Sequence, residues 1–370
     1  FTSPHLINVR ERIRIGGVPI NESLFDEALA SCRSAAATVE KEHGKATYFE
    51  LLTALALLVF AQQAVDLVVL ETGLGGRLDC TNIIEPCVVA LTSIQLEHTQ
   101  ILGDTIEKIA AEKAGIIKRG SYCLSVPQEA EVVEVFRAKA DEMGASLHVL
   151  GDNMIYTERF QSSTRGTPSA IICVGDEDRG FEHVSVPLIG MHQAPNCGLV
   201  LAIIMRLREI GYGLPEREVL AGLTQVHANA RLEQVLERPR IFVDGAHTPE
   251  SVRCVMHATA AHLDYDSLIV VFGCAADKDI DGMLDALSIG ADKIVFTRAS
   301  NNPRAADPEE LLTRSIAKGS RMSESAPSVR DAINIAATAC DDTQDLILVL
   351  GSFYIAGEAK ALIESRAARR

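Results

Sequence analysis

No two cysteines of this chain stand in a C-x-x-C pair, and their number, nine, is odd. That pattern excludes a zinc ribbon and a disulfide framework. It reads as reduced thiols packed as small hydrophobes, the condition of a cytosolic protein. Long apolar runs are missing too. The longest, Leu51 to Val65, contains Thr53 and two glutamines and falls short of the roughly 20 uncharged residues of a membrane span. Basic residues are scarce: 35 Lys and Arg against 50 Asp and Glu leave a formal charge of -15. This excludes a broad electrostatic footprint for nucleic acid, although a helix N-terminus or a single arginine can still hold a small anion. There is no internal repeat and no low-complexity tract. An initiator Met is absent as well, and so is a signal-peptide pattern, because the chain opens Phe1-Thr2-Ser3-Pro4-His5-Leu6. It is expected to be a fragment without its true N-terminus.

What is present fits a two-domain enzyme. At 370 residues and 47% hydrophobic, the chain can build two separate cores. Asp66 to Glu71 (DLVVLE) and Cys87 to Ile94 (CVVALTSI) read as buried strands, and helical periodicity covers 49–63, 105–118 and 130–143. This alternation predicts a parallel sheet with helices on both faces. From Met154 to Pro187 the texture suggests hairpins, and a long helix is expected over 192–210. The pattern then restarts. Strands are expected at 240–244, 268–273, 293–297 and 345–350, with helices at 249–263, 280–287, 308–317, 329–339 and 355–365. The fold class is therefore α/β, with two doubly wound domains, 1–230 and a smaller, Rossmann-like 231–370, their boundary between Arg231 and Pro239. The tail from Arg366 to Arg370 is expected to fray.

Open α/β sheets bind ligands at the carboxyl ends of their strands, and three acid–base residues fall there. Glu71 runs into a glycine-rich turn, Thr72-Gly73-Leu74-Gly75-Gly76-Arg77-Leu78-Asp79; His98 follows the second strand; Asp244 ends the first strand of the second domain. On spacing alone two readings stand. Glu71 caps a turn and His98 is a satisfied loop histidine, or the two share a divalent ion. The glycine turn is not a P-loop, having neither its spacing nor its lysine. Lys113 falls with Ile106, Ile109, Ala110, Ala114 and Ile117 on the apolar stripe of a helix opened by Asp104 and Glu107 in a D-x-x-E variant of the capping box. A desolvated lysine has a lowered pKa, and its neutral amine reacts with carbonyl compounds or carbon dioxide; the alternative is a lysine that snorkels to solvent. Arg231 alone reads as a surface arginine.

Together these stretches resemble folylpolyglutamate synthase/dihydrofolate synthase of the Mur ligase superfamily. The matching segments are FTSPHL (1–6), RERIRI (10–15), TYFE (47–50), ETGLGGRLDCTN (71–82), TSIQLEHTQILGDTIEKIAAEKAGIIK (92–118), MHQAPN (191–196), ARLE (230–233), DGAHTPES (244–251), FGCAADKDI (272–280) and GSFYIAGEAK (351–360). They run in family order over the whole chain.

The resemblance implies a cytoplasmic, monomeric, ATP-dependent ligase. It would phosphorylate a carboxylate of dihydropteroate or reduced folate, and the amine of L-glutamate would attack the acyl phosphate to leave an amide. By position, Ser3, Glu71 and His98 resemble ligands of Mg²⁺, and Lys113 resembles a lysine carbamylated to hold a second magnesium ion. Lys113, His98 and Glu71 are thus the implied catalytic set. Thr47, Tyr48, Phe49 and Glu50, with Leu78, Asp79 and Cys80, resemble folate contacts. Asn196, Arg231, Asp244 and His247 resemble ATP contacts, and Ser352 belongs to the glutamate pocket. No nucleic acid or membrane partner is implied. Competing readings are another Mur-type amino-acid ligase and a catalytically impaired paralogue that only binds folate or nucleotide.

Four departures from the family pattern stand out. The loop G-T-N-G-K-G-S is absent and is expected upstream of Phe1; neither His43-Gly44-Lys45 nor Lys318-Gly319-Ser320 substitutes for it. Thr248 stands where asparagine is usual, Glu97 where aspartate precedes His98, and Ala230 where glycine precedes Arg231. The last would stiffen a hinge that needs positive φ.

Overall fold

Gly16 and Gly17, at φ +58° and +80°, turn the chain back on itself and make a hairpin of β1 (Arg14–Ile15) and β2 (Val18–Pro19). Asn21 then accepts the Leu24 N–H and opens α1 (Glu22–His43). The computed structural model describes residues 1–161, 169–177, 179–187, 193–225, 229–319, 322–341 and 344–367. It divides into two compact units, Phe1–Arg159 with Ile171–Ser185 and Ala194–Val219, and Phe160–Ala170 with Val186–Gln193 and Leu220–Arg370.

In the first unit α1 packs on α2 (Tyr48–Gln62), around Leu52, Leu55, Val59 and Phe60 with Phe1, Ile13 and Ala28. A second cluster lies around a three-stranded parallel sheet of β3 (Val89–Leu91), β4 (Tyr122–Ser125) and β5 (Ser146–Val149), with α3 (Thr99–Leu102), α4 (Ile106–Ala114) and α5 (Ala130–Met143). β6 (Ile155–Gln161), β7 (Ser169–Gly175) and β8 (Gly180–Pro187) form a separate sheet, as the polar texture of 154–187 suggested. Next come α6 (Ala194–Glu209) and α7 (Glu216–Thr224). The expected start of α6 at His192, the 162–168 stretch, Ser320 and residues 368–370 of the tail lie outside the described residues.

The second unit is a six-stranded sheet of β9 (Glu233–Leu236), β10 (Ile241–Val243), β11 (Leu268–Phe272), β12 (Lys293–Phe296), β13 (Ser323–Ser325) and β14 (Leu346–Leu350), in the order β13-β12-β11-β14-β10-β9. All its pairs are parallel except the edge pair β9–β10. The crossovers are α8 (Pro249–His262), α9 (Ile280–Leu287), α10 (Pro308–Ala317) and α11 (Val329–Ala339), and α12 (Phe353–Ala367) follows β14. The strands β10, β11 and β14 are buried throughout, as near-continuous runs of Val, Ile and Leu demand. The last strand, β14, returns between β10 and β11, so the topology reverses where these three lie side by side.

Three expectations need correction. Among the described residues Asp66 to Glu71 forms no strand and joins no ladder: its backbone partner is Phe1, through Phe1 N to Val69 O at 2.7 Å and Glu71 N to Phe1 O at 3.0 Å. One residue cannot make a strand neighbour, and Val69 is 75% exposed rather than buried. The helix expected over 105–118 stops at Ala114 with Gly115 as its C-cap, a position where a Cβ would come within 2.3 Å of Arg77 Cβ and only glycine fits. Its cap is Thr105, whose side chain accepts the Lys108 N–H, while Asp104 pairs with Lys108 at 2.7 Å.

The crossing at the topology switch leaves no room for a side chain. Gly351 sits at φ +113°, and a Cβ there would meet Gly273 O at 2.5 Å. Gly351→Ala is expected to cost about 2–4 kcal/mol in urea unfolding. Gly290→Ala, whose Cβ would meet only Met256 Cε at 3.8 Å, should stay within about 0.5 kcal/mol.

Candidate active site

In the first unit the glycine turn is pressed into its surroundings. A Cβ on Gly73 would meet the Phe49 ring at 2.3 Å, and one on Gly76 would meet Glu112 O at 2.8 Å and Lys113 O at 2.9 Å. Arg77 fixes the same helix end twice: its N–H donates to Glu112 O at 2.8 Å and its Nη2 to Glu112 Oε1 at 2.9 Å. Asp79 holds the turn from within, accepting Leu74 N at 2.9 Å and the Thr81 hydroxyl at 2.6 Å. The result is a cavity of about 350 Å³, lined by Thr47, Phe49 and Glu50, by residues 74–80, and by Ile101, Leu102 and Glu112. Thr47 and Glu50 cap α2 reciprocally, Thr47 N to Glu50 Oε2 at 2.7 Å and Glu50 N to Thr47 Oγ1 at 3.2 Å.

The segment ahead of this site is also fixed. Ser3 N donates to Glu71 Oε2 at 2.7 Å, so serine and carboxylate meet across 68 residues of sequence. Glu11 accepts the backbone N–H groups of Leu6, Ile7 and Asn8 at 2.9, 3.0 and 2.7 Å. Burial pushes its carboxyl up, but these three donors more than offset that and hold it below the usual carboxylate range.

In the second unit the carboxyl ends of β10 and β14 bring Asp244, Gly245, His247 and Ser352 together. Asp244 is 3% exposed, and its two oxygens accept Leu232 N and Ala246 N, both at 2.7 Å. Burial pushes its carboxyl up to about 6, against the lowering pull of those donors and of the Arg231 charge. A Cβ on Gly245 would meet the Phe353 ring at 2.6 Å. Arg231 carries its guanidinium 5.2 Å above that ring, and His247 tilts against it at 6.1 Å. The Ser352 hydroxyl accepts Ile355 N at 3.2 Å and donates to Gly273 O at 3.4 Å, tying β14 to β11.

Residues 22–204 match the Mur ligase middle domain, and residues 230–353 the Mur ligase glutamate ligase domain. The chain is 32% identical over 371 residues to the dihydrofolate synthase/folylpolyglutamate synthase of Bacillus subtilis, covering 97% of this chain and 82% of that protein. It belongs to the folylpolyglutamate synthase/dihydrofolate synthase family. The Escherichia coli protein of the same name is 32% identical over 373 residues, covering 99% of this chain and 80% of the relative. A Mycobacterium tuberculosis folylpolyglutamate synthase complexed with ADP superposes with a TM-score of 0.88 at 31% identity, over 98% of this chain and 83% of that one. An Escherichia coli relative in complex with DHPP and ADP gives 0.83 at 32%, over 99% and 82%. The members are ATP-dependent amide ligases, and the two-domain α/β fold of this chain is theirs.

Seen as a member of the folylpolyglutamate synthase family, the chain gathers most of its candidate residues into two places. Thr47, Phe49, Glu50, Leu78, Asp79 and Cys80 line the first-unit cavity, whereas Tyr48 lies outside the lining, 60% exposed, with the Arg12 guanidinium 5.8 Å from its ring. Arg231, Asp244, His247 and Ser352 form the second group. Asn196 is exposed on the first turn of α6. His98, exposed and at φ 52°, opens α3 without using its side chain as a cap. Lys113 is half-buried rather than fully buried, at the margin of a stripe made by Ile109, Ala110 and Ala114, and its amine forms no ion pair among the described residues. Among the described residues no three His, Cys, Asp or Glu side chains cluster to hold a metal ion. Nor do the two lysine–glycine sequences make phosphate loops, since Gly44 and Lys318 close α1 and α10 rather than opening a helix. Phe353, Glu233 and Lys360 were not singled out from sequence, although they lie in GSFYIAGEAK and ARLE.

Asp244 makes stability depend on pH with a definite sign. With a folded-state pKa near 6, above the ordinary carboxylate value of 3.8, the native state keeps its proton over that interval. The stability this contributes is full below pH 4 and lost as the pH rises through 6. Asp244→Asn cannot titrate, so urea unfolding should show the variant gaining on the parent by up to about 3 kcal/mol between pH 4 and pH 7. A difference that stays constant would show that Asp244 is ionised across the range.

Proposed function

We propose that this protein joins L-glutamate to a carboxylate of dihydropteroate or of a reduced folate, with cleavage of ATP to ADP and phosphate. The observation that carries this is the first-unit cavity, whose lining contains six of the seven folate candidates. An unactivated carboxylate is a poor electrophile. Phosphorylation gives it a leaving group, and the amine of glutamate then attacks the acyl carbon and expels phosphate. In this reading domain 1–230 holds folate and ATP, domain 231–370 supplies the glutamate ligase function, and the enzyme works as a monomer. Asn196, Arg231, Asp244 and His247 contact the nucleotide, and Ser352 contacts glutamate.

The donor set suits magnesium. The Ser3 backbone N–H already holds the Glu71 carboxylate beside that serine, and a hard cation of this kind takes one or two carboxylates with waters and substrate phosphates rather than an all-protein cage. Ser3, Glu71 and His98 would hold the ion, which when bound offsets charge on the transferring phosphoryl group. Lys113, half-buried and without an ion pair among the described residues, offers an amine that carbon dioxide could carbamylate. Its carbamate would add the oxygen donors of a second site. Gly76 rests on the carbonyl of Lys113, so the turn after Glu71 and the helix end bearing Lys113 are in register with each other.

The test is ATP hydrolysis that depends on L-glutamate, with dihydropteroate and tetrahydrofolate compared as acceptors in the full-length enzyme. Turnover with at least one acceptor is expected, and ATP hydrolysis indifferent to both would defeat the reading. Lys113→Arg should lower kcat by about 100-fold and should not respond to bicarbonate, because a guanidinium carries no carbamate. Parental activity in the Lys113→Arg variant would leave Lys113 as a structural cation.

A further inference from the structure

Among the charged residues of the matching segments without a part in the ligase reading are Glu233 at the end of ARLE and Lys360 at the end of GSFYIAGEAK. Lys360 Nζ donates to Glu233 Oε1 at 2.6 Å and to Asn229 Oδ1 at 3.1 Å. The two charged side chains are 14% and 20% exposed. The other carboxylate oxygen, Glu233 Oε2, accepts the Ala230 N–H at 2.9 Å. One ammonium on α12 therefore ties both ends of the loop 229–233.

Arg231 lies between those ends. Its neighbours Ala230 and Leu232 stand at φ 50° and 48°, a left-handed conformation that residues with a Cβ rarely adopt. Such a backbone persists only when its surroundings over-determine it. Here they do. Gly245 N donates to Ala230 O at 2.9 Å, Leu232 N to Asp244 Oδ2 at 2.7 Å, and the Lys360–Glu233 pair holds the rest. The same helix that carries Lys360 carries Phe353, the ring beneath the Arg231 guanidinium. Loop and ring are thus referred to one rigid element.

We propose that Lys360 and Glu233 are positioning residues for Arg231: the pair locks the loop 229–233 so that the guanidinium is held over Phe353 and presented to the anionic phosphates of the nucleotide. This rests on the reading of Arg231 as a nucleotide contact. A pair that only stapled the edge strand β9 to α12 would lower stability without singling out one substrate. A lock on Arg231 raises the KM for ATP and leaves that for glutamate alone.

The experiment is steady-state kinetics of the full-length enzyme with Lys360→Met, Lys360→Arg, Arg231→Ala, the double variants Lys360→Met/Glu233→Gln and Arg231→Ala/Lys360→Met, and the parent. Lys360→Met should raise the KM for ATP about tenfold and leave the KM for glutamate within about twofold. Lys360→Arg, which keeps the charge and its donors, should restore the KM for ATP to within about threefold of the parent. Lys360→Met/Glu233→Gln leaves no unpaired buried charge; it should fold and keep the ATP defect even if Lys360→Met alone unfolds. In the Arg231→Ala background Lys360→Met should add less than about twofold, because the residue it positions is gone. An unchanged KM for ATP in folded Lys360→Met or Lys360→Met/Glu233→Gln, or full additivity with Arg231→Ala, overturns the proposal while the ligase reading stands. An unchanged KM for ATP in Arg231→Ala itself removes the nucleotide role of Arg231, and the proposal with it.

Discussion

The second unit depends on a carboxylate that has been taken out of water. Asp244 ends β10, and with 3% exposure its two oxygens are useful only to the backbone groups that reach them. One oxygen holds the Leu232 N–H and the other the Ala246 N–H. A single side chain thereby fixes the loop before β9 and the loop after β10. Unpaired, that carboxylate would be costly to bury; with two charge-assisted hydrogen bonds it becomes a joint. Gly245 lies inside the joint because any Cβ would strike Phe353, and that contact carries the arrangement on to α12 and the Arg231 guanidinium.

The first unit solves its problem with backbone in place of a buried charge. The turn after Glu71 needs three glycines because it passes within van der Waals contact of a ring, a leucine and two helix carbonyls. Arg77 then closes the approach from outside with a paired Glu112, an ion pair exposed enough that its value is mainly geometric. The walls of the cavity are therefore set by main chain and caps. Thr47 and Glu50 satisfy each other, and Asp79 is occupied by Leu74 and Thr81, so several polar groups of the lining already have partners.

The second unit was legible strand by strand because its central strands are apolar runs between capped helices, and both periods are strong there. Its short members, β9 and β13, were not, since strands of four and three residues at a sheet edge carry little pattern. In the first unit α1 also carried a readable signal: Leu24, Phe25, Ala28, Leu29 and Cys32 recur at helical spacing and pack against the α2 core, between the caps Asn21 and Gly44. The stretch DLVVLE misled because β-branched composition reports fitness for a sheet, whereas a strand also needs a neighbour. At the site, residues with chemical side chains were found through long motifs. Glu233, Lys360 and Phe353 were passed over because an ion pair 127 residues apart has no local signature.

Two of the departures from the family pattern show how a backbone demand can be met by different residues. Thr248 caps α8, its hydroxyl accepting Ser251 N at 3.2 Å while Ser251 Oγ accepts the His247 and Thr248 N–H groups at 3.1 and 3.0 Å. Asparagine and threonine are both good N-caps, so the exchange preserves the helix start and the place of His247 with it. Ala230 is the harder case. Its φ of 50° suits glycine, and a Cβ in that region costs roughly 1–2 kcal/mol. The chain meets that cost with hydrogen bonds on both sides of the residue, from Gly245 N to its carbonyl and from its N–H to Glu233. Where glycine would tolerate many conformations, alanine here is held in one. The loop bearing Arg231 is consequently stiffer for having the less comfortable residue.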